Sequence, residues 1–302
     1  MTSEVVRRRW QRVDGVLLLD KPTGMTSNAA LQAVRRLYSA AKAGHTGTLD
    51  PLATGLLPLC FGEATKFSCD LLDADKAYEA DVLFGVTTTT GDAEGDVLER
   101  RAVGFGQDDL RRVMQGFLGR IRQIPPMYSA LKRNGKPLYE LARQGIEVER
   151  AAREVDIGAL ELLAFGGDTC CLRVACSKGT YIRTLVEDIG AALGCGAHLT
   201  GLRRTGVGRL QVEQAVRLDD LVDMDEMQRA AVLQAPDCLL SELTAVHLGA
   251  VEAERFSHGN PVATGSSAPE GKVRVYAADG RLLGVGMVDG VNQVHPKRLV
   301  SQ

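Results

Sequence analysis

The sequence predicts an α+β fold: a mixed, largely antiparallel central sheet with flanking helices, followed by a small β-barrel-like domain. Two observations predict it. Strand patterns outnumber helix patterns and do not alternate with them regularly, which disfavours a parallel βαβ sheet. After about residue 243 the pattern changes to short strands separated by Gly and Pro, which favours a small barrel. We therefore expect a main domain at 1–240 and a small one at 241–302.

The first elements follow from apolar patterning. GVLLLD (15–20) predicts a buried strand that ends at a Lys-Pro-Thr-Gly turn. A helix is expected from Ser27, a residue that suits an N-cap. Residues 43–58 are rich in Gly, Thr and Pro and are interpreted as a loop. Apolar alternation from Tyr78 to Phe84 predicts a strand with Tyr78 on its inward face.

The middle of the chain mixes helices and strands. Apolar residues at helical spacing predict an amphipathic helix at 108–118, with Gly119 as its C-cap. Segment 126–150 combines Pro, Gly, Lys and Arg, which indicates a protruding strand, loop and helix. Strands are expected near 153–165 and 169–177.

A second amphipathic helix is expected from Thr180, ending at Gly194. Residues 236–243 are interpreted as a linker. Beyond it we expect a short helix followed by three strands, in VRVYA, LLGVGMV and NQVHPKRLV.

Composition excludes several classes of protein. Hydrophobic residues make up 45% of the chain and charged residues 25%, which is typical of a globular protein with a core. No apolar run approaches the roughly 20 residues that span a bilayer. The N-terminus lacks the apolar region of a secretory signal, so a cytoplasmic location is expected. The seven cysteines are odd in number and form no C-x-x-C pair, which favours small buried hydrophobes.

Charge is unevenly distributed along the chain. The net charge of −2 disfavours a generic nucleic-acid binder. Basic residues nevertheless cluster near 7–12, at 132–136 and at 203–209, and local clusters can attract phosphates. The alternative is that these are solvated faces, and composition alone favours it.

Asp50 lies in a loop where two interpretations compete. It precedes Pro51, which restricts its backbone to extended conformations. Gly47 and Gly55 permit tight turns or close approach of a ligand. An Asp in a Gly- and Thr-rich loop usually bonds its own backbone as a turn former. Local physics alone therefore favours the turn over a catalytic carboxylate.

Resemblance reverses that preference. The segment AGHTGTLDPLATGLLPLCFGEATKF (43–67) resembles the catalytic motif of the TruB-type tRNA pseudouridine synthases. Further blocks resemble the same family in the same order: GVLLLDKPTGMTS (15–27), LLDADKAYEADVLFG (71–85), IPPMYSALKRNGKPLYELARQGIEV (124–148), CSKGTYIRTLVEDIG (176–190) and the hairpin GAHLTGLRRTGVG (196–208). These blocks cover most of 15–208.

The resemblance implies a pseudouridine synthase fold, an RNA-gripping insertion at about 124–150 and a PUA-like RNA-binding domain at 241–302. It implies Asp50 as the nucleophile and Arg183 as the cation that holds it ionised and oriented. It also places Tyr78 against the target base, near the C5 proton. The plain alternatives are a turn residue for Asp50, a solvent-facing charge for Arg183 and a core residue for Tyr78.

Five residues are implied as substrate contacts. His45 would fill the space left by an extruded uridine, and Leu202 would pack against the flipped base. Lys21 would position the Lys-Pro loop, while Tyr181 and Lys66 are supporting contacts. Without the resemblance, a lone His or a Leu in a hairpin is most often a packing residue.

The implied reaction breaks the N1–C1′ bond of a uridine, rotates the base and rejoins it through C5. It conserves all atoms, so no cofactor is expected, and the sequence shows no P-loop or metal-ligand pattern; GDAEGD (91–96) lacks the calcium-loop register. Whether Asp50 attacks C1′, attacks C6 or acts as a base stays open.

The expected partner is the T stem-loop of tRNA, bound by a monomer that needs no protein partner, guide RNA or membrane. Two other classes of function stay open: an RNA-binding or tRNA-folding module in which isomerisation is secondary, and a structural assembly protein with a vestigial site.

Overall fold

The computed structural model describes residues 9–133, 135–265 and 268–301, so Arg7 and Arg8 of the N-terminal basic cluster lie outside it. The described helices are α1 Ser27–Leu37, α2 Ser68–Leu72, α3 Gln107–Gln115, α4 Leu138–Arg143, α5 Ile182–Ala192, α6 Leu218–Asp223, α7 Glu226–Ala231 and α8 Ala250–Ser257. Short 3₁₀ segments occupy Gly62–Phe67, Val212–Gln214 and Pro236–Leu240.

A large sheet forms the body of the protein. Its strands run in the order β14-β1-β3-β12-β4-β11-β10-β7, with β2 beside β3 and β13 beside β12. Pairs β1–β14 and β3–β12 are parallel and the others antiparallel, which confirms the predicted mixed, largely antiparallel sheet. The bounds are β1 Gly15–Lys21, β2 Ala43–His45, β3 Thr54–Phe61, β4 Lys76–Phe84, β7 Gly119–Gln123, β10 Arg153–Phe165, β11 Thr169–Cys176, β12 Ala197–Val207, β13 Leu210–Gln211 and β14 Val216–Arg217.

Two hairpins lie outside this sheet. One joins β5 Val86–Thr88 to β6 Val97–Arg100. The other joins β8 Lys132–Arg133 to β9 Lys136–Pro137 and leads into α4. The second is the strand, loop and helix that the sequence predicted at 126–150.

A second, five-stranded sheet follows α7. Its order is β15-β17-β18-β19-β16, with strands β15 Thr244–Leu248, β16 Val262–Ala263, β17 Gly271–Ala277, β18 Leu282–Val288 and β19 Gln293–Leu299. The expected helix is α8, but the sequence reading missed β15, which precedes it. The predicted linker is also more than a connection, because Leu239 and Leu240 are buried in a core cluster of the large sheet.

Most predicted elements of the large sheet are confirmed, with local corrections. The N-cap of α1 is Thr26, not Ser27, and Ser27 instead bonds the main chain of Leu49. The loop predicted at 43–58 contains β2 and most of β3. The prediction was wrong there because Gly and Pro residues interrupt the buried apolar run. Helix α3 ends at Gln115 with Gly116 as its C-cap. The predicted hairpin at 196–208 is instead one long strand, β12.

Two apolar cores meet at the site region. One packs α3 and α5 against β4, β10, β11 and β12, and the other packs α1 against β1 and β3. Tyr78 and Leu202 are half-buried and contact both cores. They therefore lie at the junction of the two cores, where a cavity opens.

Candidate active site

Asp50 lies in the loop between β2 and β3, beside a cavity of about 310 Å³. Hydrogen bonds fix the loop on both sides of Asp50: Ser27 with Leu49, and the Gly24 amide donating to the Pro51 carbonyl at 2.8 Å. The Asp50 side chain is 40% exposed. The carboxylate is therefore held in place yet open to a ligand.

Arg183, in the first turn of α5, meets Asp50 directly. Its Nη2 lies 3.0 Å from Asp50 Oδ2, and the Arg183 side chain is 7% exposed. It also donates to the carbonyls of Thr90 at 3.1 Å and Tyr128 at 2.7 Å. These bonds fix the guanidinium independently of Asp50, so Arg183 can orient the carboxylate. A solvent-facing charge does not describe it.

Burial and charged neighbours set the pKa of Asp50. Burial raises the pKa of Asp50; the charge of Arg183 lowers it, and Asp92 raises it again. The net pKa lies above the ordinary value. Arg183 thus lowers the pKa of Asp50, as the resemblance implies, but burial and the second carboxylate together outweigh it.

That second carboxylate was missed by the sequence reading. Asp92 belongs to the GDAEGD turn after β5 and is buried. Its Oδ2 lies 3.7 Å from Arg183 Nε, so Arg183 bridges Asp50 and Asp92. The Thr90 hydroxyl and the Glu94 amide donate to its other oxygen. Nothing local distinguishes this Asp from an ordinary turn residue; only the fold brings it to Arg183.

The opposite side of the cavity is formed by β4 and β12. Tyr78 pairs with Arg204 across these strands, and Leu202 pairs with Ala80. Because side chains alternate in a strand, Leu202 and Arg204 share the face that carries Tyr78. Arg204 is 1% exposed, with Nε donating to the Leu56 carbonyl at 2.7 Å. The sequence reading placed Arg204 in a phosphate-binding cluster, not in the cavity.

The structure places the three arginines of that cluster, 203–209, in different surroundings. Arg203 points from the other face of β12 and binds both oxygens of Asp20, at 3.0 and 2.8 Å. Arg209 binds Glu242 at 3.0 Å. With Arg204 buried, each arginine already has a partner inside the protein. Lys132, Arg133 and Lys136 are exposed on the β8–β9 hairpin, and phosphate contacts by these residues, as by Arg203 and Arg209, stay a prediction.

Lys21 and His45 lie behind the Asp50 loop. The Lys21 ammonium is fully buried and donates to the carbonyls of Pro22 and Met25, at 2.8 and 2.7 Å. Burial lowers the pKa of Lys21 to about 8, against the opposing charge of Asp50. His45, on β2, is half-buried and does not line the cavity. Burial, then the charge of Arg204, lowers its pKa.

Of the two expected supporting contacts, Tyr181 lies at the cavity and Lys66 does not. Tyr181 lines the cavity just before α5, and Gln123 holds its main chain through bonds of 3.0 and 3.3 Å. Lys66 does not line the cavity: its ammonium binds Glu63, the Leu299 carbonyl and Ser301. Lys66 therefore joins the 3₁₀ segment after β3 to the C-terminal strand, and its contact with the substrate stays a prediction.

Two properties concern only the described part of the chain. Within it, no group of three or more His, Cys, Asp or Glu side chains is arranged to hold a metal ion. Nor is any helix there long and apolar enough to cross a membrane.

Comparison with known proteins identifies the family. Residues 35–182 match the model of the TruB family pseudouridylate synthase N-terminal domain, 183–244 that of the tRNA pseudouridylate synthase B C-terminal domain, and 244–300 that of the pseudouridine synthase II TruB C-terminal domain. The chain is 61% identical over 295 residues to tRNA pseudouridine synthase B of Dechloromonas aromatica (strain RCB), covering 98% of both chains. It is 58% identical over 309 residues to the protein of that name from Burkholderia mallei (strain ATCC 23344), covering 99% of both.

Solved structures agree with this result. A chain of an H/ACA RNP bound to a substrate RNA containing 2′-deoxyuridine superposes with a TM-score of 0.74 at 26% identity, covering 95% of this chain and 85% of that one. A chain of a Cbf5-Nop10-Gar1 complex gives 0.71 at 30% identity, covering 91% and 78%. The fold is thus the pseudouridine synthase fold, and the chain belongs to the TruB family of pseudouridylate synthases.

Proposed function

We propose that this chain isomerises the T-loop uridine of tRNA, uridine 55, with Asp50 as the nucleophile. Isomerisation of a tRNA uridine is the activity of the family to which the chain belongs. The proposal adds the position in the tRNA and the roles of individual residues. The observation that carries it is the ionic contact of 3.0 Å between Asp50 and Arg183 at the edge of an open cavity.

The geometry supports a separate role for each side chain around a bound uridine. Asp50 would meet the sugar or the base edge, with its carboxylate oriented by Arg183. Tyr78 would lie against the base near its C5 proton, and Leu202 would pack on the ring. Attack at C1′, attack at C6 and proton abstraction toward a glycal all require an ionised, positioned Asp50. The three routes therefore share this arrangement.

Reaching a loop uridine requires extruding it from its stack, which costs a few kcal/mol. His45, behind the Asp50 loop, is proposed to occupy the vacated space. The exposed basic residues of the β8–β9 hairpin would contact phosphates and hold the opened loop. The tRNA-folding alternative uses the same contacts, so binding alone does not distinguish the two functions.

The test is Asp50→Asn, which keeps the side-chain shape and removes its charge. Pseudouridine formation should fall about 10⁴-fold or more, as for other removed nucleophiles, while tRNA affinity is retained. Asp108→Asn, at an exposed position in the first turn of α3, is the matched control and should act as wild type. Undiminished conversion by Asp50→Asn would refute the nucleophile assignment.

We further propose that the protein acts in the cytoplasm as a monomer, without a protein partner. Sedimentation of the protein with and without a T-arm hairpin tests this. One protein per RNA is expected, and a dimer of the RNA-bound protein would contradict it.

A further inference from the structure

Arg204 is a buried cation at the base of the cavity. It lies on β12, opposite Tyr78 of β4 and beside Gly55 of β3. Its Nε donates to the Leu56 carbonyl at 2.7 Å and its Nη2 to the Gly47 carbonyl at 3.3 Å. These two carbonyls belong to residues on either side of the Asp50 loop. The guanidinium is therefore fixed from several sides and cannot turn toward solvent.

Its charge is not neutralised by a carboxylate. Among the described residues, no Asp or Glu forms an ion pair with Arg204, in contrast to Arg183, Arg203 and Arg209. An unpaired buried charge is costly, so a compensating group is expected. The acidic group that faces it is the Tyr78 hydroxyl. The phenol of Tyr78 is neutral, but the phenolate that forms when it loses its proton would form an ion pair with Arg204.

Other titratable groups near Tyr78 act in the opposite direction. Burial raises the pKa of Tyr78, and Cys176 on β11 and Asp50 raise it further. Arg204 lowers it through its charge and a hydrogen bond. Burial lowers the pKa of Lys21, His45 and Lys76, and the charge of Arg204 lowers each of them further. Arg204 is thus the group in this surrounding that favours a deprotonated Tyr78.

We propose that Arg204 is the positioning residue for proton removal from C5: its guanidinium orients the Tyr78 hydroxyl and stabilises the phenolate that takes the C5 proton. This rests on the proposed function, in which Tyr78 lies beside C5. Once the C5–C1′ bond has formed, C5 still carries its hydrogen. The phenolate takes that proton and the C–H electron pair returns to the ring, while N1 gains a proton from water. Tyr78 lost its phenolic proton to water before this step, and that proton offsets the one that N1 takes from water. Tyr78 therefore ends as a phenol.

A purely structural role for Arg204 is the competing explanation, since its bonds to Gly47 and Leu56 also fix the Asp50 loop. Displacement of that loop would slow every step that uses Asp50. Loss of phenolate stabilisation would slow only the removal of the C5 proton. An isotope of hydrogen at C5 separates these cases, because only the second makes the rate more sensitive to deuterium.

The experiment uses the full-length enzyme and a T-arm hairpin RNA carrying either normal or 5-deuterated uridine. Arg204→Gln, Arg204→Lys and Tyr78→Phe are compared in single-turnover reactions between pH 6 and 10, with Arg203→Gln as the control from the other face of β12. Arg204→Gln should slow conversion about tenfold or more, enlarge the deuterium isotope effect and move the rise of rate with pH to higher pH. Arg204→Lys, which keeps the charge, should restore part of the rate if the glutamine variant fails to fold.

Adding Arg204→Gln to Tyr78→Phe should cause little further loss, since both act on one proton. A wild-type enzyme that converts uridine, combined with Arg204 variants whose isotope effect matches that of wild type and Arg203→Gln, would overturn the proposal. A wild-type enzyme that forms no pseudouridine in this RNA would instead overturn the proposed function. The two failures are therefore distinguishable.

Discussion

Two sides of the cavity each hold a buried arginine, and the two arginines are balanced differently. On the carboxylate side, Arg183 lies between Asp50 and Asp92, so two negative groups share one cation. On the phenol side, Arg204 faces Tyr78, and no carboxylate of a described residue pairs with it. In the proposed function, the first side would stabilise positive charge that develops on the sugar, and the second negative charge that develops on the base. Arginine is thus paired with two carboxylates on one side of the cavity and faces a neutral phenol on the other.

Apart from that of Asp50→Asn, the largest effect is expected on the carboxylate side, from Arg183→Met. Without the guanidinium, Asp50 and Asp92 lose the group that fixes them, and a displacement of about 1 Å at a reacting group costs roughly 10²-fold in rate. We expect kcat to fall by at least that much in single-turnover assays, with tRNA affinity retained. Arg101→Met, which removes an exposed arginine paired with Glu99, is the control. Unchanged kinetics would show that Asp50 needs no cation.

Asp92→Asn should act on both rate and pH dependence. Arg183 would lose one of its two carboxylate partners, and we expect roughly a tenfold fall in kcat, equivalent to about 1.4 kcal/mol. Asp92 raises the pKa of Asp50, so removing its charge lowers that pKa. In the proposed mechanism Asp50 acts ionised, so the acidic limb of the pH–rate profile should move to lower pH. A shift to higher pH would contradict the placement of Asp92 beside Asp50.

The phenol side depends on close backbone packing at Gly55. A Cβ there would lie 2.3 Å from the Arg204 carbonyl oxygen, and the Gly55 φ of +97° disfavours other residues. Gly55→Ala should therefore cost more than the roughly 1–3 kcal/mol of backbone strain alone. Gly24→Ala is matched in backbone strain, with φ of +75°, but has open space around its Cβ. Equal losses in urea unfolding of the two variants would show that contact with Arg204 is unimportant.

The two sides also differ in how far sequence could predict them. Asp50, Tyr78 and Arg183 lie in ordered blocks that resemble a family, so resemblance could name them. Asp92 and Arg204 are brought to the cavity by pairings far apart along the chain, such as Tyr78 with Arg204. Their local sequence is an acidic turn and an Arg-Arg dipeptide. Neither pattern shows which partner the fold supplies.

The same distinction explains the fold. Strands with clear alternation or long apolar runs, such as β1, β4 and β11, were predicted close to their observed bounds. Strand β3 was not predicted, because its Gly and Pro residues are typical of a loop. The strand is buried because β1 and β12 pair with it on either side, and the local sequence does not show this. Strand β15 was missed because its pattern is short and its pairing with β17 is parallel and non-local.

The smallest effect is expected outside both sides of the cavity, from Lys66→Met. Lys66 binds Glu63, the Leu299 carbonyl and Ser301, so its loss should weaken the hold on the C-terminal strand and leave the cavity intact. Partly exposed ion pairs contribute about 0–1 kcal/mol, and the loss in urea unfolding should stay within that range. Hydrogen exchange should rise at the end of β19, while the rate of conversion stays near wild type. A clear fall in rate at unchanged stability would return Lys66 to the substrate contacts, because only contact with the RNA could slow the reaction without loosening the strand.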